Sequence, residues 1–69
     1  MKPEETELQM VLRHVAEGEI HIEGQRVRIA KLQDSGLNTD VACDLLIMFL
    51  DVQSLHCDHL SRLQTRLGL

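Results

Sequence analysis

Tryptophan and tyrosine are absent from this 69-residue chain, and Phe49 is its one aromatic residue. Without stacking rings there is no platform for single-stranded nucleic acid and no aromatic cage for a cation. Positive charge is scarce as well. Seven Lys and Arg stand against eleven Asp and Glu, a net charge of −4. That balance opposes the counterion-releasing footprint that nucleic-acid binding requires. Long apolar runs are missing too. The longest, Leu45 to Leu50, is six residues between Asp44 and Asp51, against the about 20 that a membrane helix needs. The stretch Met1-Lys2-Pro3-Glu4-Glu5-Thr6-Glu7 has neither the basic start nor the apolar run of a signal peptide. A cytoplasmic protein with no membrane and no nucleic-acid partner is therefore expected. Cys43 and Cys57 are its only cysteines. On one helix they would lie about 21 Å apart, where a disulfide tolerates about 7 Å, so two reduced thiols are expected.

What the chain does have is apolar mass: 43% of its residues, with twelve Leu. One strong break divides it, Asp34-Ser35-Gly36-Leu37-Asn38-Thr39. Gly36 suits the left-handed position just past a helix end, with Leu37 turned back toward Leu32. Asn38 or Thr39 can cap a second helix, and Asp40 suits its first turn. The expectation is an all-α, single-domain αα-hairpin: helix about 4–34, turn 35–38, helix about 39–67. Pro3 at the first helical position and a Thr6/Gln9 capping box are alternative starts.

The first segment repeats every seven residues. Leu8, Val15, Ile22 and Ile29 share one position, and Val11, Gly18, Gln25 and Leu32 share another. This is an a/d seam with Gly18 and Gln25 as imperfections. Residues 19–29 also alternate polar and apolar about Gly24, a pattern a β-hairpin would show. In the second segment Ala42, Leu45, Leu46, Phe49, Val52, His56, Leu60, Leu63 and Leu67 recur at helical spacing, with Asp44, Asp51 and Asp58 on the opposite side.

A single hairpin cannot bury all of this. Ala16, Ile20, Val27 and Ala30 form a second stripe on the first segment, and the Leu45–Leu50 run points around the whole helix. Unmatched patches of that kind mark an interface. Covering four more large side chains would contribute about 6–12 kcal/mol gross per chain. A homodimer, giving a four-helix bundle, is the simplest way to cover them; docking of a different, unidentified protein on the second stripe is the alternative, and the two are not exclusive. Ala16, Ile20, Val27, Ile47, Phe49 and Leu50 are the expected interface residues. Charge suits an antiparallel pair. Residues 1–19 are net −3 and residues 59–69 net +2, and Arg26, Arg28 and Lys31 are expected to face the Asp40/Asp44 end.

Four histidines raise a metal reading. A hairpin folded symmetrically about Leu37 sets Gly18 opposite His56 and His14 near His59, with Glu17 close by. His14, His56 and His59 could then hold Zn or Ni. No CxxC, HExxH or ExxH pattern accompanies them, so no cofactor is expected. The competing reading is that His56 fills the gap left by Gly18, with His21 exposed. Catalysis is not expected. Cys57 lies between His56 and Asp58, but adjacent helical residues point apart.

His14-Val15-Ala16-Glu17-Gly18-Glu19, then Ile22, Gln25, Leu32, Gly36, Thr39, Ala42, Leu45-Leu46, Phe49, Leu55-His56 and His59, form an H-x-A-E-G-E … G-x-x-T … L-L-x-x-F … L-H-x-x-H pattern. It resembles a group of small uncharacterised proteins of rhizobium-like alphaproteobacteria, over about residues 12–63. The resemblance implies a helical hairpin and carries no known activity and no catalytic residues. Ile20, Gly24, Val27 and Leu50 depart from it, standing where the group tends to be polar or charged. The functional expectation is a non-enzymatic, dimeric interaction or regulatory module, with a histidine metal-binding protein as the alternative.

Overall fold

A computed structural model of the chain describes residues 5–69. It contains two helices of 28 residues, α1 (Glu7–Asp34) and α2 (Asp40–Leu67), packed against each other as a hairpin. Among the described residues there is no strand, and residues 19–29 are helical throughout. Backbone hydrogen bonding within the helix overrides the local alternation because the heptad seam passes through this stretch without a change of phase.

Side-chain and glycine chemistry sets the helix ends. The Thr6/Gln9 capping box starts α1: Gln9 N–H donates to Thr6 Oγ1 at 3.1 Å, and Thr6 N–H donates to Gln9 Oε1 at 2.9 Å. The helix thus begins at Glu7 rather than near residue 4; Pro3 and Glu4 lie outside the described residues. Arg13 then grips Glu5 with two bonds, of 3.0 and 3.1 Å, and Glu17 with a third, of 3.2 Å. These carboxylates, Glu5 foremost, raise the Arg13 pKa above its ordinary value.

At the other end of α1, Leu37 N–H donates to Leu32 C=O at 2.9 Å and Gly36 N–H to Gln33 C=O at 3.0 Å. This is a full Schellman motif, with Gly36 left-handed at φ 69°. The same two bonds recur at Gly68 and Leu69, where Gly68 has φ 76°. The two candidate caps of α2 divide the task between them. Thr39 occupies the cap position without a side-chain bond, while Asn38 Oδ1 accepts from Asp40 N–H at 2.7 Å.

The molecule is a plate of two helices, 49 × 22 × 15 Å. A layer 15 Å thick encloses little. Val11 and Leu63 are the buried apolar residues among those described, and the other buried pair is polar, Gln25 and Gln53. Every a/d position of α1 is at least half-buried. The seam of α2 runs Thr39, Ala42, Leu46, Phe49, Gln53, His56, Leu60 and Leu63, at alternating spacings of three and four. Gln53 therefore takes the place expected of Val52, which is exposed, as is Leu67. A polar seam residue leaves no trace in an apolar pattern, and its apolar neighbour was read instead.

Two glycines should respond in opposite directions. Gly24 is helical with open space where a Cβ would stand. Gly24→Ala should stabilise the fold by about 0.5–1 kcal/mol. Gly36→Ala, at positive φ, should destabilise it by about 1–2 kcal/mol. Thermal unfolding at one protein concentration checks both, since each kcal/mol shifts the midpoint by roughly 4–8 °C in a domain this small.

Candidate functional site

The two buried glutamines pin the helices together. From α1, Gln25 Nε2 donates to Ala42 C=O at 2.8 Å; from α2, Gln53 Nε2 donates to Val15 C=O at 2.9 Å. Each carbonyl has a second lone pair beyond the one its own helix uses. Gly18 makes the room for one of them, because a Cβ there would collide with the Gln53 amide. Gly18 and Gln53 therefore form a complementary pair, and Gln25 is paired with the Ala42 carbonyl. The carbonyl ends of the two glutamines differ. Gln25 Oε1 accepts from Arg28 Nη1 at 2.9 Å, whereas Gln53 Oε1 is buried without a partner. Gln53 was not foreseen as a site residue. Its position seven residues from both Leu46 and Leu60 was the available signal.

This register corrects the expected one by about a turn. Gly18 lies opposite Gln53 rather than His56, and His14 meets His56 rather than His59, with ring centroids 5.1 Å apart and planes tilted by 46°. Residues 37–39 lie outside both helices, and the contacts place the centre of the pairing before Leu37 rather than on it. His21 is exposed, as expected, but rests against Phe49 with a centroid separation of 5.9 Å.

Beside the glutamine pin a groove of about 230 Å³ opens on one face. His14, Glu17, Gly18 and His21 of α1 line it with Met48, Phe49, Val52, Gln53 and His56 of α2. His59 lies elsewhere: its Nε2 faces Glu7 Oε1 at 3.4 Å. The three candidate metal histidines do not gather into one group. Among the described residues no cluster of three or more His, Cys, Asp or Glu side chains is placed to hold a metal ion.

Glu7 also receives Arg66 Nη2 at 2.7 Å. One carboxylate in the first turn of α1 thus clasps two side chains of α2 spaced one heptad apart. The Arg66 guanidinium, and after it His59, hold the Glu7 carboxyl below its ordinary 4.5. The oppositely charged ends of the chain do meet here. At the turn, however, no ion pair joins Arg26, Arg28 or Lys31 to Asp40 or Asp44 among the described residues; Arg28 is drawn instead to Gln25.

Of the expected interface residues, Ala16, Ile20, Val27, Ile47 and Leu50 are exposed, and Phe49 is half-buried at the wall of the groove. Leu12, Val41, Met48, Val52 and Leu55 are also exposed. Cys43 and Cys57 are unpaired. No helix among the described residues is long and apolar enough to cross a membrane. No family model, curated protein or solved structure matches the chain.

Two measurements test this geometry. Gly18→Ala should lower stability by about 1–2 kcal/mol because it expels the Gln53 amide from its bond to Val15. In a Gln53→Ala background the same change should raise stability by up to about 1 kcal/mol, its helix-propensity gain. Equal effects in the two backgrounds would show that the pair does not pack this way. Separately, NMR titration should place the Glu7 carboxyl below 4.5, and Arg66→Ala should move it up toward that value. Because folding lowers this pKa, the stability it adds is present above the ordinary carboxylate range. It is lost as pH falls through the lowered value.

Proposed function

We propose that the chain is a non-enzymatic interaction module of the cytoplasm that works as a homodimer, two hairpins forming a four-helix bundle. It would belong with the small helical-hairpin proteins it resembles. One observation carries this reading: the hairpin leaves most of its apolar side chains at its surface. Among the described residues Val11 and Leu63 are the buried apolar ones, while Leu12, Ile20, Val27, Val41, Met48 and Leu55 all stand exposed.

The total surface tells the same story. A folded monomer of 7.9 kDa is expected to expose about 4,400 Å². This chain exposes 5165 Å². The difference, several hundred Å², is close to the share of about 800 Å² that each partner gives up in a standard interface. The groove supports binding over chemistry, because its floor and walls are mostly apolar groups against one half-open face.

Sedimentation equilibrium at micromolar concentration should return twice the chain mass of 7.9 kDa. The melting temperature should rise with protein concentration, as mass action requires of a dimer. A folded monomer across that range would overturn the reading.

A further inference from the structure

The outer surface of α2 holds a second heptad pattern that the hairpin leaves exposed except at Leu45, which is half-buried. Val41, Leu45, Met48, Val52 and Leu55 follow one another at spacings of four, three, four and three. This is the spacing with which the two helices meet inside the hairpin. At about 100° per residue the five side chains share one flank of α2, next to the seam. The groove identifies that flank, because Met48 and Val52 line it together with His14 and His21 of α1. Val41 is 83% exposed, Leu55 69% and Met48 58%. No charged residue interrupts the stripe. The exposed stripe of α1 is different, since Glu23 falls within it between Ile20 and Val27.

We propose that this stripe is where a second copy of the chain docks, with α2 antiparallel to its counterpart and Met48 on the two-fold axis. The inference rests on the dimer reading above and gives it a face and a direction. Three features favour a second copy. The stripe is nearly symmetric about Met48: Val41 and Leu55 lie seven residues to either side, and Leu45 and Val52 three and four, so Val41 meets the partner's Leu55 and Leu45 packs beside the partner's Val52. Self-complementarity of this kind is what a two-fold interface requires. Charge disfavours the parallel arrangement, which would set Asp40, Asp44, Arg62 and Arg66 each beside its own copy. About Met48 the antiparallel pair instead sets residue 40 opposite residue 56 and residue 44 opposite residue 52, so these like charges separate. Finally, the surface in excess of a compact monomer is about what one partner of a standard interface buries.

Cysteine cross-linking decides the geometry. In a Cys43→Ala/Cys57→Ala background, with helicity checked by circular dichroism, Met48→Cys should form a disulfide dimer on mild oxidation. Val41→Cys alone should not, because two copies of that position lie about 21 Å apart in the antiparallel pair. A mixture of Val41→Cys and Leu55→Cys chains should cross-link. As a second readout, Met48→Glu should weaken the dimer by about 100-fold, through like charge on the axis, and Ile20→Glu by less than about 3-fold. Self-linking by Val41→Cys would overturn the antiparallel direction, and linking by Ile20→Cys in place of Met48→Cys would overturn the face. A dimer in sedimentation with Met48→Cys unlinked would sink this proposal alone, and a monomer would sink the dimer reading with it.

Discussion

Two side-chain amides crossing between helices fix the relation of everything else in this molecule. A heptad seam of Leu, Ile and Val slides easily, because a shift by one repeat exchanges one apolar residue for another. Gln25 and Gln53 remove that freedom. Each reaches the other helix's backbone, at Ala42 and Val15, and Gln53 needs Gly18 in its path. A shifted register would strand both amides in an apolar seam, where a buried group without a partner costs about 1–3 kcal/mol. The pairing of His14 with His56, the groove beside it and the Glu7 clasp at the open end all follow from this one alignment.

The same alignment explains the poverty of the interior. A polar pin takes space that a larger apolar side chain would fill, and two pins leave little between two helices. The hairpin is well specified and thinly cored. Such a molecule gains stability by adding a layer, because its own layer has no further depth to give.

Much of the architecture was legible in the sequence. Gly36 between two long periodic segments marks the turn, and the cap chemistry of Thr6, Gln9, Asn38 and Gly36 sets the helix ends with local bonds. The seam of α1 could be read because its apolar positions are regular enough to carry Gly18 and Gln25 as gaps. The seam of α2 was harder. Gln53 is polar, so the apolar pattern points to its neighbour Val52 instead, which the structure leaves exposed. Register was illegible for a related reason. It depends on which side chain fits against Gly18, and counting outward from Leu37 does not reveal that. The histidine cluster failed with the register, since a shift of about one turn exchanges His59 for His56 beside His14.

The two ends of the hairpin are held by forces of different character. At the turn, the covalent chain and the backbone bonds of the Schellman motif do the holding. At the open end the buried Val11 and Leu63 hold the helices together, and the exposed charge group of Glu7, Arg66 and His59 adds a second tie, joining the positive pole of one helix dipole to the negative pole of the other. Salt screens exposed charges over about 8 Å at physiological strength and leaves backbone bonds untouched. The hairpin is therefore closed by the covalent chain at one end, while at the other, part of what holds it is a charge contribution that the ionic medium scales.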